Sequence, residues 1–170
     1  MADRPRRTVR AAVGTALVCL LPAIAAADCA DPPMAEVDWS RCFLEESVFR
    51  NADLQGANLS DSRLQRADLS GSKLSDVKAR RAKFVAANLS GTLLNHADLR
   101  EADLTKADLS GADLSHANLR RARLYDANLA GANLTGALLD QTDLLNAELS
   151  GAIWTDGETL CRPGSVGRCQ

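Results

Sequence analysis

From Leu44 to Trp154 a large apolar residue recurs at every fifth position almost without a break, with a small residue two positions before it. The repeating unit is A-(D/N)-L-x-x, as in the segment ADLSG at 107–111. A period of five matches neither the 3.6 residues of an α-helical turn nor the alternation of a flat strand. The pattern therefore predicts a repeat architecture and says little about activity.

The repeat is regular over 23 units, and it resembles the pentapeptide-repeat family over nearly all of the chain that follows the N-terminal segment. Leu fills 19 of the 23 large positions and Ala fills 16 of the small ones; the other large residues are Phe49, Ala79, Phe84 and Trp154. The resemblance implies an all-β, right-handed quadrilateral β-helix of about 5–6 coils, with one pentapeptide per side. At the usual strand spacing, such a single-domain solenoid would be roughly 28 Å long.

Residues twenty apart should then stack in columns. One core column would contain Leu64, Phe84, Leu104, Leu124 and Leu144, and one corner column Gly71, Gly91, Gly111, Gly131 and Gly151, where glycine supplies a permissive backbone. The weakest unit is 75–79, in which Val77 and Ala79 exchange the small and large positions. The register continues through it, and we expect a slight bulge or bend there.

The N-terminus has the pattern of a secretory signal peptide. Basic residues precede an uncharged stretch at 11–27, and Ala25 and Ala27 form an A-x-A cleavage site. We expect cleavage near Ala27–Asp28 and a secreted or periplasmic protein, without choosing between periplasm and extracellular space. An uncleaved anchor is the alternative, which the short, Ala-rich stretch interrupted by Pro22 disfavours.

These patterns divide the chain into four segments: a signal peptide at 1–27, an N-terminal cap at 28–41, the solenoid at 42–156 and a disulfide-closed C-terminal cap at 157–170. The open ends of a solenoid expose unpaired backbone and therefore need caps. Trp39 and Trp154 fall in the register of the large residues, so each is interpreted as a lid on one end of the core.

Charge and cysteine content agree with export. The net charge of −2 becomes −5 once 1–27 is removed, which predicts a soluble chain. No other segment is apolar enough to span a membrane, so we expect no membrane span after cleavage. Of five cysteines, Cys19 leaves with the signal peptide. If the family fold is correct, the two ends lie farther apart than the Cα separation of about 7 Å that a disulfide tolerates. We therefore predict the pairs Cys29–Cys42 and Cys161–Cys169, and the same distance disfavours a metal site built from all four.

An arginine-rich corner is the candidate partner-binding site. Arg80, Arg100 and Arg120 are twenty apart, and Arg81, Glu101 and Arg121 form the adjoining column. One interpretation is a solvated face whose charges are partly matched by Glu101 and Asp140. The other is an anion-binding strip for a polyanionic surface or for carboxylates of a partner. The predicted ladder consists of Arg80, Arg100, Arg120, Arg81 and Arg121.

The other polar residues do not predict a catalytic site. Asp98, Asp103, Asp108 and Asp113 would lie on four different sides, and the column Asp68, Asn88, Asp108, Asn128, Glu148 alternates carboxylate with amide. His96 and His116 should stack next to Asp76, which we interpret as an exposed polar column rather than a metal site. No nucleophile motif or phosphate loop is present, so we predict no catalytic, cofactor-binding or metal-binding residues and no enzyme.

Two classes of function remain. The first is an exported, non-catalytic structural or protein-interaction scaffold in the cell envelope, with an envelope protein or a polyanion as partner and no nucleic acid. The second follows from the resemblance, since some pentapeptide proteins are DNA mimics that interact with gyrase and confer quinolone resistance. The signal peptide and the mixed surface charge disfavour that alternative. The identity of the partner, the functional face and the oligomeric state are left open.

Overall fold

The computed structural model describes residues 29–170, and the chain there winds into a four-sided β-helix. Twenty parallel bridges join each side to the side twenty residues later, from Asp38↔Asn58 to Asn133↔Ile153. The bridged positions recur every five residues and define 24 sides, or six coils, at the upper limit of the prediction. Within 29–170 there is no helix, and the β-structure consists of single-residue bridges, which are these twenty and two antiparallel ones near the C-terminus. The predicted signal peptide lies outside the described residues.

Four sides make up each coil. We number them from the first coil: side 1 is 37–41, side 2 is 42–46, side 3 is 47–51 and side 4 is 52–56, and each number also applies to the segments twenty residues further on. Bridging thus begins within the segment that the sequence assigns to the N-terminal cap.

Each side follows from the five-residue unit. The central apolar residue accepts a backbone hydrogen bond from the small residue three positions later, as in Ala102 N–H to Leu99 O at 3.1 Å, and this closes the turn. The corner residue between them has a positive φ, which is 60° at Glu101. Three further backbone bonds per side connect neighbouring coils and satisfy the remaining polar groups.

The core is filled by the predicted columns. Leu64, Phe84, Leu104 and Leu124 are at most 1% exposed, and the alanines two positions before the large residues are nearly all buried as well. Val77 and Ala79 are both buried, and the backbone bonds beside them (Leu59 N–H to Lys78 O, Ala79 N–H to Asp98 O) have ordinary lengths of 2.6 and 2.9 Å. The expected bulge is therefore absent from this unit, because a buried Val and Ala fill the space that an Ala and a Leu fill elsewhere.

The N-terminal segment is tied to the first coil by the predicted disulfide Cys29–Cys42, whose Cα atoms are 5.5 Å apart. Cys42 occupies a small position and is fully buried. Trp39 is 1% exposed, and its ring lies 4.8 Å from that of Phe49, which agrees with its interpretation as a lid.

The C-terminal segment turns back as a hairpin, closed by the predicted disulfide Cys161–Cys169. Its two arms lie on adjacent sides, and each pairs with the last coil. The first arm forms the antiparallel bridge Ile153↔Leu160 on side 4, and the second arm forms the antiparallel bridge Glu148↔Val166 on side 3. Trp154 lies partly buried beneath this hairpin. The cap therefore covers two of the four sides, which the sequence did not indicate.

No helix among residues 29–170 is long and apolar enough to cross a membrane.

We expect Leu104→Ala to lower the free energy of unfolding by about 2–5 kcal/mol, because it opens a cavity in a fully packed middle coil. Urea denaturation followed by circular dichroism measures the loss. Leu93→Ala is the matched control, since Leu93 is 43% exposed, and it should change stability by no more than about 0.5 kcal/mol. Equal losses in the two variants would contradict the core assignment.

Candidate functional site

The arginine ladder lies along the corner between sides 1 and 2, in successive coils. Backbone hydrogen bonds hold the layers in register, with Arg81 N–H to Arg100 O and Arg121 N–H to Asp140 O each at 3.0 Å. Arg81 and Arg121 adopt φ values of 56° and 59°, as the corner requires. The structure therefore brings the five predicted arginines together on one edge of the solenoid.

Four of these arginines are bonded to carboxylates. Arg81 donates two hydrogen bonds to Asp61, at 2.7 and 2.9 Å, and Arg80 reaches Glu101 at 2.9 Å. The other two pairs are Arg100 with Asp98, at 2.7 Å from Nε, and Arg120 with Asp140, also at 2.7 Å. The face is thus a ladder of ion pairs, as the first interpretation of the sequence proposed for Glu101 and Asp140.

Arg121 differs from the other four arginines. Its Nε donates to the neutral amide oxygen of Gln141 at 2.9 Å, and among residues 29–170 no carboxylate lies within ion-pair distance of it. The positive charge of the ladder is therefore least compensated near its C-terminal end.

The pairing shifts the pKa of two carboxyl groups. Hydrogen bonds from the Arg81 side chain hold the pKa of Asp61 below its usual 3.8, and the Arg100 side chain does the same for Asp98, where partial burial opposes the shift. The pKa values of the Arg81 and Arg100 side chains are raised by the same bonds.

A surface groove of about 380 Å³ follows the ladder. Its lining consists of Arg80, Arg100, Glu101, Arg120, Arg121, Asp140 and Gln141. The Arg80 and Arg120 side chains are 44% and 50% exposed, and each uses one of the five guanidinium N–H donors in a bond within the described chain. The remaining guanidinium N–H donors can therefore bind an incoming anion. The existing ion pairs would compete only weakly with it, because exposed ion pairs contribute little to stability.

Sequence reasoning missed two members of this network, Asp61 and Asp98. The signal for Asp61 was available, because the column Arg41, Asp61, Arg81, Glu101, Arg121 alternates in charge. Asp98 lies two residues before Arg100 on the same side, a local contact that a search along columns does not find.

The polar columns elsewhere take the predicted positions. The His96 and His116 rings are stacked, 5.1 Å apart and 7° from parallel. Asn128 donates its side-chain amide to Asp108 at 3.0 Å, so an amide does separate carboxylates in this column. Residues 29–170 contain no group of three or more His, Cys, Asp or Glu side chains placed to hold a metal ion. The absence of catalytic and cofactor residues remains a prediction.

Comparison with known proteins identifies the repeat. A family model described as pentapeptide repeats matches eight copies, over 34–66, 62–95, 82–121 and 122–153. Among solved structures the chain is similar to HetL, a pentapeptide repeat protein involved in heterocyst differentiation regulation from the cyanobacterium Nostoc sp. strain PCC 7120. The identity is 34% and the TM-score 0.54, over 74% of this chain and 65% of HetL.

A second similar structure is QnrB1, a plasmid-mediated fluoroquinolone resistance protein. It is 18% identical with a TM-score of 0.50, over 70% of this chain and 65% of QnrB1, and this is a likeness of fold. The chain thus spans slightly less than two thirds of both structures. A search of the curated proteins finds no match.

The ion pairs predict a loss of stability in acid. In the unfolded chain Asp61 and Asp98 titrate near 3.8, and in the folded chain at a lower pH. Well above pH 4 both carboxyl groups are ionised in the folded and in the unfolded chain, so the ion pairs contribute their full stabilisation there. As the pH falls, the unfolded chain binds protons first, and this stabilisation is lost progressively until the pH reaches the folded pKa. We expect the free energy of unfolding to decrease as the pH falls through and below the unfolded value of 3.8.

Denaturation curves at a series of pH values measure this decrease. In Asp61→Asn it should be shallower than in the parent, whereas Asp31→Asn, an exposed change outside the ladder, should leave it unaltered. A parent-like pH profile for Asp61→Asn would show that the pair with Arg81 has no role in acid stability.

Proposed function

Since this chain belongs to the pentapeptide-repeat family, we propose that it is an exported, non-catalytic scaffold of the cell envelope that binds an anionic partner through its arginine ladder. The partner is an envelope protein that presents carboxylates, or a polyanion. The groove along the ladder carries this proposal, because it combines exposed guanidinium groups with free donors on one edge of a repeating scaffold.

The form of the groove suits a side-on partner. Its arginines repeat once per coil, at the inter-strand spacing of about 4.8 Å, so a partner with anionic groups along its length can contact several layers. Arginine forms planar, paired hydrogen bonds with carboxylates and phosphates, which favours such anions over spherical ions such as chloride. Arg121 offers the first contact, since its only side-chain acceptor within 29–170 is the neutral Gln141.

A scaffold without catalysis is supported by the arrangement of the interior. Leu and Ala fill the core, and the acidic residues of consecutive repeats project from different sides. Paired-acid chemistry needs two carboxyl groups at a fixed separation around a cleft. The acidic groups of the ladder groove are instead hydrogen-bonded to arginines.

Export is supported by both disulfides. Disulfides of this kind form and persist in oxidising compartments, and they are rare in the cytosol. The signal-like pattern of 1–27 points to the same compartment. A gyrase-binding DNA mimic remains the alternative function. It is disfavoured because this edge pairs arginines with carboxylates and so carries both signs of charge, whereas a DNA strand presents a uniform row of phosphates.

Affinity capture from envelope extract tests the proposal. The disulfide-bonded protein should retain a partner that the triple variant Arg80→Ser, Arg100→Ser, Arg120→Ser binds at least about tenfold more weakly, since each charge-assisted hydrogen bond is worth about 1.5–3 kcal/mol. Added salt should weaken the parent complex in the same direction.

The matched control is Arg50→Ser, Arg63→Ser, Arg66→Ser, which removes three positive charges from other parts of the surface. It should bind as the parent does. A partner retained equally by both triple variants would exclude the ladder as the binding site.

A further inference from the structure

The C-terminal end of the solenoid is shaped like a step. In the last coil the hairpin adds one layer over side 3 (147–151) and side 4 (152–156). Side 1 (137–141) and side 2 (142–146) have no further chain of 29–170 paired along their outer edge. Half of the end is therefore one strand layer higher than the other half.

The lower half of the step is an open β-edge. One coil earlier, Leu119 N–H donates to Leu138 O at 3.0 Å and Leu124 N–H donates to Asp143 O at 2.7 Å. The equivalent amides of Leu139 and Leu144 donate to no residue of the described chain. The carbonyls of Ala137 and Thr142, which would accept from a following coil, have no backbone donor either.

The upper half of the step has a complementary edge. Toward the solenoid, the hairpin forms the bonds Trp154 N–H to Thr159 O at 2.8 Å and Cys161 N–H to Ala152 O at 2.9 Å. These bonds flank Leu160, so its own N–H and C=O point to the opposite edge, where they have no backbone partner within 29–170. The second arm repeats this arrangement around Val166.

We propose that the end binds a second copy of this chain, with the two steps interlocked about a two-fold axis perpendicular to the solenoid. The hairpin of each copy then lies in the vacant layer of the other. Leu160 of the second copy faces Leu138, and Val166 of the second copy faces Asp143. The joint continues the solenoid from one copy into the next without a gap.

The direction of the chain fits this arrangement. The two-fold axis reverses the direction of the second copy's coils, and its hairpin runs antiparallel to those coils. That hairpin therefore runs parallel to sides 1 and 2 of the first copy. In the joint, Leu160 of the second copy would donate its N–H to the C=O of Ala137 and accept from the N–H of Leu139. This is the parallel bridge found throughout the solenoid, in which Asn118 donates to Ala97 O and accepts from Leu99 N–H.

Exposed apolar residues mark the same surface. Leu138, Leu160 and Val166 are 39%, 63% and 46% exposed, and the joint places Leu138 next to Leu160 of the second copy. Cross-strand apolar neighbours of this kind stabilise a sheet. Because one end carries both the open edge and the matching hairpin edge, it is self-complementary, which is the requirement for an isologous interface. An unrelated strand would cover only the open half.

The test is the mass of the protein in solution, measured by sedimentation equilibrium on the full-length product expressed for export with both disulfides formed. Over roughly 1–100 µM we expect the mass of two chains. Leu138→Lys places a charged side chain against Leu160 of the other copy at both joints, which removes the apolar contact and should weaken association at least about tenfold. Leu138→Lys combined with Leu160→Asp should restore the dimer, since each lysine then faces an aspartate.

Leu93→Lys is the matched control, because Leu93 is a similarly exposed outward residue in a middle coil, and it should remain dimeric. Hydrogen exchange supplies a second readout: the Leu139 and Leu144 amides should be protected in the parent and exchange rapidly in Leu138→Lys. A single-chain mass for the parent at all concentrations, a dimer unaffected by Leu138→Lys, or a parent dimer with both amides unprotected would each overturn the proposal.

Discussion

The register of the backbone hydrogen bonds between coils is the constraint on which the rest of the structure depends. Around Asn118, for example, the bonds Asn118 N–H to Ala97 O and Leu99 N–H to Asn118 O are both 2.9 Å. Every side repeats them at an offset of twenty residues. One inserted residue would shift all later side chains to other positions, so the five-residue period is preserved even where Val77 and Ala79 replace the usual pair.

The same register governs the surface. Because residues twenty apart are direct neighbours, like charges in one column would repel each other at close range. The structure limits this repulsion in three ways. Asn128 separates Asp108 from Glu148 by donating its amide to Asp108, and the column of Arg81 alternates sign with Asp61 and Glu101. Where three arginines do share a column, at positions 80, 100 and 120, each is hydrogen-bonded to a carboxylate. A solenoid can therefore carry many charges on one edge if each charged side chain has a neutral or oppositely charged neighbour, either in its own column or beside it.

Sequence reasoning predicted the coils from the family resemblance, which implies four pentapeptides per turn. The columns then follow from the twenty-residue coil, and the disulfide pairs follow from the distance between the two ends. The hydrogen-bond partners of the exposed side chains were harder to predict from the sequence. Arg100 bonds to Asp98 on its own side rather than to a neighbouring layer, which depends on rotamers rather than on spacing. The glycine column does lie at a corner with positive φ, which is 64° at Gly111. Arg81 and His96 adopt 56° and 60° at other corners, so glycine suits this backbone conformation but is not required for it.

The ends have a different physical problem from the middle, and it explains where the cysteines lie. A middle coil is hydrogen-bonded on both edges, whereas a terminal coil is bonded on one and therefore opens at a lower free energy. The Cys29–Cys42 disulfide connects the first coil to the segment before it, whereas the Cys161–Cys169 disulfide closes the C-terminal hairpin on itself. Cys42 and Cys161 are both buried. The non-repeating hairpin has no period to extend, so it turns back over two sides only. The covalent bonds thus reinforce the ends, while the uncovered sides retain their capacity to pair.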